Sequence, residues 1–346
     1  MQPAPRVYPA PGLVNGQNPI RVQRTPSPTI VPGYSHEPGK HCGSTALRNL
    51  LAFHGLECSE ELAFGLGAGA CFYYVVLDGE SPSRFTNGRT ARLEEQFVEL
   101  TSAPLSLETS DDPTASWERA RAVVDSGRPA LLLTDLYHLD HYGRSAHFPG
   151  HAVVLAGYDG ERAYLSDTAF EELQTTTLEN LALARHEQHP AYPLAGHLFH
   201  VPDGVPLDDL RGAAPRAIGR AAEHMLEPEL GEFQGIPALR RLAAEVEDWP
   251  RVAEDWQWCA RFGYQVIERR GTGGGNFRRM YARFLDEVGY AEADLAHEAA
   301  ERWTSFAEAF LAASEADGPE APLWSSVGEE AARVLDAEER LWTALR

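Results

Sequence analysis

The stretch His41-Cys42-Gly43-Ser44-Thr45-Ala46-Leu47-Arg48-Asn49-Leu50-Leu51 sets a cysteine at the start of a run with helical spacing. Unpaired backbone N–H groups and the positive end of the helix dipole stabilise a thiolate there, which predisposes Cys42 to act as a nucleophile. A thiol nucleophile needs a base supplied from elsewhere in the chain. His151 suits that part, at the head of the apolar run Ala152-Val153-Val154-Leu155-Ala156, which reads as a strand. The Asp159-Gly160 pair then signals a hairpin that returns through Tyr164-Leu165-Ser166 to Asp167. Counted outward from the turn, His151 and Asp167 face one another to within one residue, so that the carboxylate can orient the imidazole. Cys71 is a second candidate nucleophile, but it lies in a strand reading, with no helix terminus to favour its thiolate.

The elements that must hold these residues follow from pattern. Residues 1 to about 35 contain eight prolines and read as an extended arm over 1–33. Over 34–205, helices are expected from Cys42, after Ser59, over 90–100 and over 114–126. Strands are expected over 70–77, 129–134, 151–158 and 162–167, with 197–201 closing the sheet. Over 206–346 strand signals nearly vanish, and helical spacing runs through 215–226, 236–248, 251–268, 277–288, 291–316 and 326–345. The 346-residue length itself favours two domains. The fold class is therefore α+β with a predominantly α-helical C-terminal domain.

Composition narrows the partners. Thirty Lys and Arg against 51 Asp and Glu give a net charge of −21, which argues against nucleic acid and anionic membrane. Lys40 is the only lysine. Four cysteines without a Cys-x-x-Cys pair, and apolar runs too short to span a bilayer, fit a cytoplasmic setting. The acidic second half is interrupted between Arg269 and Arg283, which holds five arginines and no acid around the glycine-rich loop 271–275. This loop is neither a Walker A nor a Rossmann sequence, and its simplest reading is a tight helix–helix turn capped by Asn276. Its charge suggests an anion site, with Arg270, Gly273, Gly274, Gly275, Asn276, Arg278 and Arg279 as docking candidates for a phosphate-bearing arm or an acidic carrier surface. His41, Tyr73, Asp135, Tyr137 and Tyr142 are the candidates for lining a substrate pocket. His138 and His141 alone do not make a metal site, and neither metal nor cofactor is expected.

The Cys-Gly-x-Thr-Ala helix and the later His-x-Val-Val-x-x-Gly-Tyr-Asp strand resemble those of the papain-like cysteine peptidase superfamily. More closely, residues 34 to about 200 resemble the N-terminal domain of BtrH-type proteins, a group named for an acyltransferase of butirosin biosynthesis. The segment Arg270-Gly271-Thr272-Gly273-Gly274-Gly275-Asn276-Phe277-Arg278-Arg279-Met280-Tyr281 resembles the glycine-rich part of the helical domain that commonly follows. The resemblance implies a papain-like N-terminal domain with a Cys42–His151–Asp167 triad, transferring an acyl group from a carrier-protein or other acyl thioester to a small-molecule or peptide amine in specialised-metabolite biosynthesis. A hydrolase, peptidase or cyclase using the same triad is the alternative, and a non-catalytic binding protein on that scaffold the third reading. In papain-like enzymes a glutamine six positions before the cysteine completes the oxyanion hole. Here that position is His36, whose imidazole N–H can donate the same bond. A homodimer is compatible with these features.

Overall fold

A computed structural model describes residues 28–77, 79–190, 192–205 and 208–346. The expected proline-rich arm therefore lies outside the described residues up to position 27. In chain order the elements are β1 (Thr29–Ile30), α1 (Cys42–Phe53), α2 (Glu60–Leu66), β2 (Ala70–Val76), β3 (Arg84–Arg89), α3 (Leu93–Thr101), β4 (Ser106–Glu108), α4 (Pro113–Asp125), β5 (Ala130–Asp135), β6 (Pro149–Tyr158), β7 (Arg162–Ser166), β8 (Gln174–Thr177) and α5 (Leu178–Arg185). There follow β9 (Gln188–His189), β10 (Tyr192–Pro193), β11 (Leu198–His200), α6 (Ala214–Leu226), α7 (Gly235–Glu245), α8 (Trp249–Val252), α9 (Trp256–Glu268), α10 (Arg278–Val288), α11 (Ala293–Glu315) and α12 (Ala321–Ala344). The class is α+β, with a sheet in the first half and helices in the second.

The main sheet runs β4-β11-β5-β6-β7-β8, with β1 on the end of β6, and every pairing is antiparallel. Strand periodicity of two divides β5 and β6 between two cores. Leu131, Leu133, Ala152 and Val154 join the cluster that contains Leu47, Leu50 and Leu51 of α1. Ala130, Leu132, Val153 and Leu155 join Ala120, Val123 and Val124 of α4 and Leu181 of α5 on the other face. Helices thus cover both faces, and α1 lies against the strand that carries His151. The segment 197–201 does not close the sheet as an edge, because β11 inserts between β4 and β5.

The expected boundary at 205/206 does not separate two cores. The first cluster continues from α1 through α6, α7, α10, α11 and α12 to Leu345. Between them, the β2–β3 hairpin packs against helices of the second half: Phe72 on Trp303, Tyr74 on Trp249 and Phe85 on Phe262, with ring centroids 5.3–6.2 Å apart. The continuous helix read over 251–268 is broken into α8 and α9. Asp255 stands just before α9 and accepts hydrogen bonds from Ser81 and Ser83 beside the hairpin. Among the described residues no helix is long and apolar enough to cross a membrane.

Candidate active site

Cys42 is the first residue of α1, and its neighbour His41 caps the helix: the Ser44 N–H donates to His41 Nδ1 at 3.3 Å. Glu60 of α2 holds this entry from the side, accepting from the backbone N–H of Lys40 and His41 (2.6 Å for the latter) and from the Thr45 hydroxyl at 3.1 Å. A buried carboxylate thus occupies donors that the helix itself cannot satisfy. The Cys42 N–H remains in the first turn, where no intrahelical acceptor exists.

His151 opens the buried part of β6 and Asp167 follows β7 directly. A register shift between Leu155 and Gly157 leaves Ser166 opposite Val154. Asp167 consequently stands diagonal to His151 rather than facing it, within the reach of long side chains across a sheet. The His151 Nε2–H donates to Asp167 Oδ2 at 3.0 Å, and the imidazole also hydrogen-bonds the Cys42 thiol. The structure therefore brings Cys42, His151 and Asp167 together in the order their spacing suggested.

Electrostatics favour an ion pair. Burial alone raises the Cys42 pKa, but the hydrogen bond and charge of His151, the charge of Arg89 and the Ala152 N–H reverse it, bringing the thiol down to about 7. Burial works against the His151 imidazolium too, yet the charge and hydrogen bond of Asp167, with Cys42, push its pKa up to about 10. Asp167 is held well below the usual carboxylate range, because His151 and the hydrogen bond from His141 outweigh burial. Alkylation of Cys42 by iodoacetamide should accordingly speed up as pH rises through about 7 and level off above it. His151→Ala should move that midpoint upward by a unit or more, measured as the second-order rate between pH 5 and 10.

Several side chains that the sequence did not tie to the triad hold it in place. His141 Nε2 lies 2.9 Å from Asp167 Oδ2, and the Tyr142 hydroxyl donates to Oδ1 at 3.2 Å, so Asp167 is held from three sides. Glu94 of α3 is 4 % exposed, and a Cβ at Gly43 would fall 2.0 Å from its Oε1, which explains the glycine after the nucleophile. Burial, then the charge of Cys42, pushes the Glu94 pKa up to about 8, so it is mainly neutral at pH 7. An acid on a buried helix face offers no pattern by which sequence could assign it to this site.

The expected oxyanion donor is corrected. His36 spends both ring nitrogens elsewhere, Nδ1 on the Ser166 hydroxyl at 2.7 Å and Nε2 on the Phe170 carbonyl at 2.8 Å. His41 instead is buried beside Cys42, with its ring edge-on to Phe64 and Phe277. Burial and the neighbouring Arg89 and His151 hold its pKa well below the usual histidine value. The ring is thus neutral, and since Nδ1 accepts from Ser44, the proton sits on Nε2, which has no hydrogen-bond partner.

A cavity of about 860 Å³ opens over Cys42 and His151. One wall carries His41, Arg89, Tyr142 and Phe148, and the other is the glycine-rich loop with Arg269, Arg270, Gly273, Gly274 and Arg279. The run from Gly273 to Phe277 has positive φ throughout, which is why glycines dominate it. The same loop packs on Lys40, since a Cβ at Gly271 would fall 2.7 Å from its carbonyl oxygen. Lys40, given no weight from sequence, also lines the cavity.

Other candidates lie elsewhere. Tyr73 does not line the cavity; it sits in the hairpin opposite Asn87, bonded to the Cys71 thiol. Asp135 is fully buried, accepting from the Tyr137 and Phe148 N–H groups and bonding His147, and Tyr137 stacks on His147 at 4.1 Å. Gly275 packs against Ala300 of α11, and Asn276 is buried against Gly88. It does not cap α10, which is preceded by Phe277. Arg278 is wholly buried in an ion pair with Glu338 and cannot dock anything. Cys71 is also buried, a burial that raises its pKa.

Residues 41–168 match the family described as Butirosin biosynthesis protein H, N-terminal. Over those residues the chain is similar to a BtrH-type N-terminal domain. Residues 179–345 match a second family, described as Domain of unknown function (DUF4872), so the cavity is lined by residues of both matched regions. A C39-like peptidase from Bacillus anthracis is among the similar solved structures, at 19% identity and a TM-score of 0.33 over 46% of this chain and 92% of that one. Comparison with curated proteins finds no match.

Proposed function

We propose that this BtrH-type protein is a cysteine-dependent acyltransferase that takes an acyl group from a thioester onto Cys42 and passes it to an amine. The observation that carries this reading is one cavity in which a low-pKa thiol beside a charged histidine meets Lys40, Arg89, Arg269, Arg270 and Arg279 in a chain of net charge −21. Local cations of that density suit the phosphate of a phosphopantetheine arm, whether on coenzyme A or on an acidic carrier protein. In the first half-reaction the Cys42 sulfur attacks the thioester carbonyl, the bond to the donor sulfur breaks, and His151 protonates the departing thiolate. In the second, an amine attacks the acyl-Cys42 carbonyl, His151 takes the amine proton, and an amide leaves with regeneration of the thiolate. The Cys42 N–H and the His41 Nε2–H stabilise the oxyanion in both steps.

Intact-protein mass spectrometry tests the donor step. A phosphopantetheinyl acyl thioester should add one acyl mass to the wild type, and an amine should discharge it faster than water does. Discharge by water alone, with amide never formed, would make the protein a hydrolase on the same triad. His41→Asn keeps a side-chain acceptor for the helix cap but removes the ring donor. It should retain Cys42 alkylation while turnover falls about 10²-fold; unchanged turnover would remove His41 from the oxyanion site.

A further inference from the structure

Beside the active-site cavity, which His147 lines, His138, His147 and Glu187 gather ligand-type atoms. A ring nitrogen of each histidine and a carboxylate oxygen of the glutamate lie within 4.8 Å of one another. They come from three segments: the turn after β5, the loop before β6, and the residues between α5 and β9. His138 Nε2 is 2.7 Å from Glu187 Oε2, while its Nδ1 is buried without a hydrogen-bond partner. His147 Nδ1 lies 2.8 Å from Oδ2 of Asp135, whose side chain is wholly buried. The same carboxylate accepts hydrogen bonds from the Tyr137 N–H at 3.0 Å and the Phe148 N–H at 2.9 Å, which fix its position behind the ring. A carboxylate behind a histidine fixes the tautomer, with the proton on Nδ1 and the lone pair of Nε2 turned outward.

We infer that His138, His147 and Glu187 form a zinc site with Asp135 as the carboxylate behind His147. Two imidazoles and one carboxylate are a donor set suited to Zn²⁺, with the fourth position left to water. Tetrahedral coordination needs ligand atoms roughly 3.3 Å apart, so the 2.7 Å His138–Glu187 contact would open slightly to admit the ion. A simple ion pair explains the contact between His138 and Glu187. It does not explain why His147, oriented by a buried carboxylate, joins them. The site would have a definite task, because residues 139–146 run between two of its ligands and carry His141 and Tyr142, both bonded to Asp167. Zinc would clamp both ends of that loop and so fix the group that orients His151.

Equilibrium dialysis against ZnSO₄ with metal analysis tests this on the full chain carrying Cys42→Ala, which removes the reactive thiol as a competing ligand. The expected result is one zinc per chain with a dissociation constant in the micromolar range or tighter, and a melting temperature that rises with zinc and falls back with chelator. His147→Gln and Glu187→Gln should each weaken binding at least 100-fold, and Asp135→Asn 10- to 100-fold. Cobalt substituted for zinc should give the visible absorption of a low-coordinate N/O site, lost in His147→Gln, as a readout that does not depend on stability. No zinc bound at 100 μM, or zinc bound equally by His147→Gln and Glu187→Gln, would overturn the proposal and leave an ion pair only.

Discussion

Cys42→Ala should form no acyl adduct with any thioester and should lose at least about 10⁴-fold in turnover, because a covalent mechanism cannot be rescued by its remaining members. No other described thiol is placed to take over. Cys58 is pushed up to about 12 by burial and by Glu287, and burial raises both Cys71 and Cys259. Cys42→Ser should be nearly as damaged, since a hydroxyl is far harder to ionise than a thiol that His151, Arg89 and the Ala152 N–H bring down to about 7. An acyl adduct that persists on Cys42→Ala, located by peptide mapping, would move the nucleophile and end the proposed mechanism. Adduct formation in the wild type should follow the thiolate, rising through about pH 7. Turnover should fall again near pH 10, where His151 loses the proton it must give to the leaving thiol.

That cysteine was legible because the chemistry of a helix N-terminus is local. A Cys-Gly step before helix-forming residues, an Asp-Gly turn and a strand headed by histidine are each short patterns, and the hairpin ties His151 to Asp167 over 16 residues. The count from the turn still missed the register shift at Leu155–Gly157, because a bulge leaves no mark in apolar alternation. Contacts made by distant chain segments were invisible for a different reason. Glu60 under the helix entry, Glu94 over Gly43 and Glu187 beside His138 are acids whose partners are set only once α2, α3 and α5 have packed. Burial in particular reverses the expectation for an acid in sequence, and Glu94 is mainly neutral at pH 7 for that reason.

The arginine-rich segment shows the same limit from the other side. Composition treated Arg269 to Arg283 as one basic patch, yet its arginines have unlike fates. Arg269, Arg270 and Arg279 line the cavity, Arg283 pairs with Glu61 of α2, and Arg278 turns into the core. Helical periodicity separates such neighbours only when the other face is known. The division of the chain at 205/206 was drawn where strand signals end, but Arg278 and the β2–β3 hairpin tie the two halves across that line.

Glu338→Ala should destabilise the whole protein by about 3–5 kcal/mol, the cost of leaving a buried charge without its partner. Glu338 on α12 is fully buried and accepts from Arg278 Nε at 2.8 Å and from the indole N–H groups of Trp303 and Trp342 at 2.6 Å each. Arg278 in turn donates to the carbonyls of Cys71 and Gly88, both at 2.9 Å. One ion pair thus joins α10, α11 and α12 to the hairpin. Differential scanning calorimetry should show a melting temperature lower by roughly 10 °C. The pairing of Arg278→Met with Glu338→Leu should recover part of the loss, since neither charge is then stranded, although the two indoles and two carbonyls still lack partners. If each single variant melts within a degree or two of the wild type, the pair is not the bolt that the geometry describes. A kinetic consequence follows from position. Arg89 ends β3 and the glycine-rich loop enters α10, so that loop and Arg89 of the opposite wall rest on this pair, while Cys42 and His151 rest on α1 and β6. At temperatures where Glu338→Ala is still folded, it should raise KM for a thioester several-fold and change the alkylation rate of Cys42 much less, because His151 outweighs Arg89 in lowering the thiol pKa.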